Sequence, residues 1–498
     1  MMHRLIWLIT LIPPILFAPV SWSETKTISQ LKDPLEAWET KIQLPIPKIE
    51  TLRNGLVVAW FPNDSLPVID LALLIKSGYR DDPKGHSGAA HLLSQIIDKG
   101  AGSDSFEVFS KKVEQLGASH YVSADEESFT LGMHGLSEDR ETLLTLLGAM
   151  TQKPILPIQQ FKKEKERTLD RWSHLSDSSD SLISVAFYRW MYSGTPYGRG
   201  SFKNKKALEA LQYASVVNYH KNYFRPDNAI LMVVGDVDQK KFKSKILSVF
   251  SEWGKVDHQT IPSPADSQSE KKNKKVRIEY HHPYLKLKKN QDAIFIQRDQ
   301  LSQSKVYFGW EAPIYTDPDH YALVVANALF GEYFNSRLNS RLRDELGITY
   351  SIGSALSYQK ENGVFAVTAS TQSKNTGKLI REVQKLAKVW IEGPVSEQEL
   401  RDAKNYLLGQ FPVRMSTLYS VASRWLGGYI FGLGPSYLNA FIPNVRKVTS
   451  KQVQSALKKH FENKKFRIVI VGDLKEVKPS LKKHGLNQLK IISAEKLL

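Results

Sequence analysis

The chain is expected to fold as an α+β protein of two homologous halves, each a mixed, mostly antiparallel β-sheet covered by α-helices. Three observations predict this. The segment FRPDNAILMVVGD at 224–236 aligns without a gap to FENKKFRIVIVGD at 461–473, an offset of 237 residues. A self-match at that spacing means two similar halves of about 220 residues, far longer than a solenoid unit. Within each half, runs of strand signals and runs of helix signals follow each other rather than alternating, which points to a sheet with helices packed against one face. Finally, 498 residues with 42% apolar and 10% aromatic side chains are enough for two sizeable cores.

The elements follow in order. Asn54-Gly55 is a hairpin turn signal inside a strand region at 49–62. A buried strand is expected over 69–77, and 86–99 is a helix, with apolar residues Ala89, Ala90, Leu92, Leu93, Ile96 and Ile97 at helical spacing. A helix at 105–116, strands at 118–123 and 127–135, and helices at 137–151, 158–174, from 180 and at 215–223 lead to the first Gly-Asp strand. In the second half, 307–310 is a strand, 321–330 a buried helix, 348–356 and 363–370 a strand pair, and 375–392 and 396–409 helices. Hydrophobic periodicity stops between Pro262 and Asn290, where Ser, Pro, Asp, Glu and Lys dominate. The expected division is therefore a domain at 45–256, a linker at 257–290 and a domain at 291–498.

Residues 1–23 read as an export signal. A short basic start is followed by an apolar run from Leu5 to Val20, and Ser21 and Ser23 offer the small residues a signal peptidase reads. The run is broken by Pro13-Pro14 and is shorter than the ~20 residues needed to span a bilayer, so cleavage is favoured over a retained anchor. The chain has no cysteine, which excludes disulfides and a lipid-modified cysteine. A periplasmic location fits both points, and no membrane contact is required. The charge of +17 peaks at Lys271, Lys272, Lys274, Lys275 and Arg277 and continues at Lys286, Lys288 and Lys289. No basic face interleaved with aromatics accompanies it, so the cluster reads as a solvated linker and not a nucleic-acid site, with contact to anionic lipid or an acidic polypeptide as the alternative.

The candidate site begins at His91-Leu92-Leu93-Ser94-Gln95. This stretch stands where a zinc peptidase of the inverted type carries His-x-x-Glu-His, with two histidines one turn apart on the metal and a glutamate as general base. Only His91 matches. Ser94 is no base near neutral pH, and Gln95 offers a weak amide oxygen in place of an imidazole. The whole run from Ile49 to Gly100 resembles the opening of the pitrilysin/insulinase family, and EQELRDAKNYLLGQFPVRMST (397–417) and the stretch from Phe431 to Phe461 resemble its C-terminal half.

The resemblance implies a clamshell of two halves. It also implies a third ligand, a glutamate roughly 75 to 77 residues beyond the second histidine. Pattern matching puts Arg171 there, within FKKEKERTLDRW, while the count alone also allows Asp170 or Trp172. Arginine stays charged at any working pH, so this chain is expected to hold no metal of its own and no catalytic residue. His86 and His281-His282 lack the spacing of replacement ligands. Trp172, Trp190, Trp310, Trp390 and Trp425 are read as core.

A second constellation is Arg343 and Tyr350, seven apart, with Gly347 between them to end a helix and let the chain reverse. By resemblance this pair binds the substrate backbone and steadies an oxyanion opposite the zinc, work suited to two hydrogen-bond donors. Without the resemblance, a surface ion pair between Arg343 and Glu345 plus a core tyrosine would account for both. Family members of this size commonly work as pairs. The sequence is thus expected to be a non-catalytic subunit whose partner is a zinc-bearing homologous peptidase, acting on a peptide or unfolded polypeptide that adds to a sheet edge. The edge here, Gly117 to Ser123, has His120 and Tyr121 where the family favours asparagine and a small residue, and Phe330 to Phe334 replaces a turn that usually carries a glycine pair. A stand-alone binding or assembly scaffold and a weak metallopeptidase are the competing expectations.

Overall fold

The computed structural model describes residues 42–83, 85–254, 286, 291, 293–464 and 466–498. The export signal, the basic cluster at Lys271–Arg277 and His281-His282 lie outside them.

The first half contains β1 (Lys48–Thr51), β2 (Val57–Pro62), β3 (Val68–Ile75), α1 (Ala89–Ile96), α2 (Phe106–Gln115), β4 (Ser119–Ala124), β5 (Phe129–Leu136), α3 (Arg140–Gln152), α4 (Ile158–Ser173), α5 (Ser179–Met191), α6 (Tyr213–Tyr223), β6 (Ala229–Gly235) and α7 (Gln239–Phe250). Asn54-Gly55 forms the expected turn, with Gly55 at φ +91° and its N–H donating to Leu52 O at 2.9 Å. The sheet order is β1-β2-β6-β3-β5-β4, so the repeated Gly-Asp strand lies inside it, parallel to β2 and antiparallel to β3. Gly235 closes β6 at φ +116°, and a Cβ there would stand 2.1 Å from Val68 O. Only glycine allows that approach.

The second half repeats the plan with β7 (Ala293–Gln297), β8 (Gln303–Ala312), α8 (His320–Asn327), α9 (Arg337–Asn339), β9 (Ser351–Tyr358), β10 (Gly363–Gln372), α10 (Thr376–Glu392), α11 (Glu397–Arg414), α12 (Leu418–Ile430), α13 (Ser450–Phe461), β11 (Arg467–Gly472) and β12 (Leu489–Ser493). Both α8 and α9 run on into wider π turns, Ala328–Glu332 and Ser340–Glu345. The order β12-β7-β11-β8-β10-β9 matches the first sheet strand for strand. One difference marks the edge. There β1 is antiparallel to β2, whereas β12 returns from the chain end to lie parallel to β7.

The fold is α+β with two clamshell halves, but helices cover both faces of each sheet rather than one. The halves exchange helices: α5 lays Leu182, Ile183, Ala186 and Phe187 on Ile294, Ile296, Val469 and Val471 of the second sheet. In return, α12 lays Val421, Ala422, Trp425 and Leu426 on Phe61, Leu74, Ile230 and Met232 of the first. Trp425 meets Phe61 edge-on at 5.7 Å. The central strands require this, because all seven residues of β6 are buried and a continuous apolar run leaves no face for water. Trp172, Trp190, Trp310, Trp390 and Trp425 are all buried.

Ile42 to Leu498 forms one unit, and its halves are joined by charge as well as by apolar surface. Glu127 is 5% exposed. It accepts from Tyr197 Oη at 2.5 Å, Arg80 Nη1 at 3.2 Å and the Lys360 backbone N–H at 2.8 Å. Arg80 continues to Glu361 at 2.8 Å. No helix among the described residues is long and apolar enough to cross a membrane.

Candidate functional site

α1 starts at Gly88, whose φ of +106° is left-handed. Asp82 holds that turn from outside the helix, accepting from the N–H groups of Gly88 at 2.6 Å and Ala90 at 2.9 Å. Burial pushes its carboxyl up to about 7 against the pull of those donors. Ala89, Ala90, Leu92, Leu93 and Ile96 face the core, which leaves His91 and Gln95, one turn apart, on the remaining stripe.

His91 lies between two rings, 6.2 Å from Tyr79 and 5.7 Å from Phe202. Its Nε2 is buried with no hydrogen-bond partner among the described residues. Burial, and after it the charge of Arg171, push the imidazole down to about 4. Ser94 donates to His91 O at 2.7 Å, and Gln95 Nε2 donates to Ser94 Oγ at 3.2 Å. These two side chains are turned onto the helix itself.

On α4 the three residues permitted by counting separate cleanly. Trp172 is 6% exposed and packs on Phe202 at 4.7 Å, and Asp170 turns to His174 at 3.8 Å. Arg171 donates to Thr168 Oγ1 at 3.2 Å, and its charge is the one felt by His91. One free imidazole nitrogen, a serine donating to backbone, an amide and a guanidinium do not fit zinc, which takes three protein ligands in a catalytic site. A carboxylate able to take a proton from a bound water is also missing from this set.

His86 is held by Ser215 Oγ at 2.7 Å. Asp317, Asp319 and His460 bring ligand atoms within 4.8 Å of one another, but the Lys459 ammonium already sits 2.6 Å from Asp319. The ammonium thus occupies the Asp319 carboxylate that a metal would need.

In the second half, Gly347 adopts φ +59° and the Ile348 N–H closes the helix end by donating to Leu342 O at 3.0 Å. The following strand starts at Ser351 rather than Ile348. Tyr350 therefore stands in the link and is 90% exposed, so it is no core tyrosine. Arg343 lies over the Phe334 ring at 3.7 Å and pairs with Asp344 at 3.1 Å; Glu345 pairs instead with Arg341. No hydrogen bond joins Arg343 to Tyr350 among the described residues. Phe334 comes from the segment whose departure from the family turn was noted above. Gly331 there packs so closely that a Cβ would stand 2.7 Å from Ser354 N.

β4 is the outer strand of the first sheet. His120 is tied back to Asp98 at 3.2 Å. The Tyr121 ring lies directly over Gly132, where a Cβ would be 2.0 Å from it, and Tyr419 Oη donates to Tyr121 Oη at 3.2 Å. The residues that differ from the family pattern thus brace this edge from its two faces. Sequence reasoning missed the Arg80, Glu127, Tyr197 and Glu361 network. Its only trace was a charged run after β3, and partners that lie 47 to 281 residues away carry no local signal.

Comparison with known proteins adds the following. The sequence profile described as "Insulinase (Peptidase family M16)" matches residues 58–205, and that described as "Peptidase M16 inactive domain" matches 210–407. An "Uncharacterized zinc protease" of Rickettsia felis is 25% identical over 360 residues, covering 72% of this chain and 81% of that one. The "Non-peptidase homolog YmxG" of Helicobacter pylori is 23% identical over 430 residues, covering 84% and 93%. Among solved structures, a peptidase M16 inactive domain from Pseudomonas fluorescens superposes with a TM-score of 0.74 at 21% identity, covering 86% of this chain and 98% of that one. At that identity the likeness is one of fold.

Proposed function

The chain belongs to the pitrilysin/insulinase family of peptidases, and from that premise we propose that it is the non-catalytic subunit of a heteromeric periplasmic zinc peptidase. The observation that carries this reading is the state of α1 and α4. A neutral imidazole without a second donor faces a fixed cation where the family's metal would be held. Cleavage is then the task of a zinc-bearing sister chain, and this chain supplies the opposite wall of the chamber.

Arg343 and Tyr350 are the residues assigned to substrate. Both reach solvent from one helix-to-strand reversal, and both donate hydrogen bonds to oxygen. Phe334 under the guanidinium holds Arg343 in place without consuming its N–H groups. The substrate class is a peptide or unfolded polypeptide laid along a sheet edge.

The deciding experiment is purification from the native host with metal analysis, followed by peptidase assay with and without a chelator. The expected result is a zinc-bearing homologous chain that co-purifies, with chelator-sensitive activity only in the pair. Stoichiometric zinc with turnover in this chain alone would establish a weak peptidase instead. Absence of any sister chain would leave a stand-alone scaffold, in keeping with the description of the Helicobacter pylori relative as a non-peptidase homologue.

A further inference from the structure

The exchanged helix α12 does more than cover the first sheet. With α11 and the loop after it, it walls a cavity of about 580 Å3, within the size range of small-ligand sites. No aspartate or glutamate lines this cavity, while two arginines, Arg414 and Arg424, do. Arg414 is partly satisfied by Glu332 at 3.4 Å. The Arg424 guanidinium has no ion pair or hydrogen bond among the described residues. It lies close enough to Tyr315 and Tyr437 to oppose the upward push that burial gives both phenols. The aromatic wall is preformed: Tyr315 stacks on Phe431 at 6.1 Å and meets Tyr437 edge-on at 6.5 Å.

Two adjacent glycines in the last turn of α12 set the shape. Gly428 has a packing reason, since a Cβ there would stand 2.3 Å from the Tyr437 ring; that ring lies on the helix backbone and its hydroxyl donates to Arg424 O. Gly427 has none. A Cβ there meets nothing within 4 Å, so the cavity is open at that point. Arg424 and Gly427 are three apart and face the same way, so the empty space left by the glycine lies beside the unpaired cation.

We infer that this cavity binds a carboxylate carried on an aromatic or apolar body, with Arg424 taking the carboxylate and the Tyr315 and Phe431 rings taking the body. The C-terminal residue of a peptide and a small free aromatic acid share that chemistry. The site does not depend on a partner subunit, so it stands or falls separately from the proposed function.

The test is calorimetric titration of the full chain with N-acetyl-L-phenylalanine. Saturable one-to-one binding is expected, weakened about tenfold when the carboxylate is replaced in N-acetyl-L-phenylalaninamide and about tenfold in Arg424→Gln, as for loss of a charge-assisted hydrogen bond. Gly427→Leu should crowd the space beside Arg424 and weaken binding while leaving the far-UV spectrum unchanged. 3-Phenylpropanoate assigns the source: weaker binding than the acetylated residue means a peptide terminus, equal or tighter binding a free acid. Equal affinity for acid and amide, an Arg424→Gln variant that binds as wild type, or no saturation at millimolar probe overturns the inference. Should Gly427→Leu fail to fold, Arg424→Gln decides alone, because its side chain is exposed.

Discussion

The charge of Arg171 reaches the His91 imidazole and, with burial as the larger cause, keeps that ring neutral down to about pH 4. The pair inverts the electrostatics of a metal site, where the imidazole is a ligand and the partner helix supplies an anion. An NMR titration of His91 should give a midpoint near 4, moving upward in Arg171→Gln. No movement would mean that the two groups are not electrostatically coupled.

The same depression has a consequence for stability. Between about pH 6.5 and 4 the unfolded chain takes up protons at His91, His220 and His320 that the folded chain refuses. Stability therefore falls as pH drops through that window, by the order of 2–3 kcal/mol per histidine. Asp82, raised to about 7, acts with the opposite sign, because its folded form binds the proton more readily. The difference between wild type and His91→Gln cancels the Asp82 contribution. Urea denaturation across pH 4 to 7 should show the flatter profile in the variant.

Restoring the donor set tests the pocket directly. Ser94→Glu, Gln95→His and Arg171→Glu together should bring zinc affinity into a range measurable by competition with a chromogenic chelator. His91→Ala added to those three should remove it again. A triple variant that binds no zinc would mean that the Tyr79 and Phe202 rings on either side of His91 have closed the space.

Arg343→Ala and Tyr350→Phe are expected to lower kcat of a reconstituted pair by ten- to a thousandfold, the usual scale for losing an oxyanion donor. Subunit affinity should not change, since neither side chain is buried in this chain. Unaltered turnover would return both residues to a structural role.

The exchange of helices predicts that the halves unfold together. Trp425→Ala should cost about 3–5 kcal/mol, although Trp425 belongs to the second half by sequence and stabilises the first sheet. Glu127→Ala should cost about 3 kcal/mol or more by leaving Arg80 short of a buried partner. Two separate transitions in a denaturation curve, only one of them shifted by Trp425→Ala, would contradict the interlocked arrangement.

Much of this was legible in local pattern. The repeat at 224–236 and 461–473 announced two halves because the same strand must sit inside each sheet. Helical spacing from Ala89 to Ile97 announced the helix that carries His91, and the buried set of α1 follows that period. The strand after Gly347 starts three residues later than its residue types predict, since Ile348 serves the helix closure and Thr349 Oγ1 donates to Ser370 O at 2.6 Å.

By itself, then, the sequence determined the class of fold and the family, because each is written in residue type and short-range period. Only the tertiary structure decided that each sheet borrows a helix from the other half, that the charge reaching His91 is that of Arg171, and that Arg424 lines an aromatic cavity. Those facts depend on groups far apart in the chain meeting in space. Burial then fixes their charge and packing in ways that no window of sequence contains.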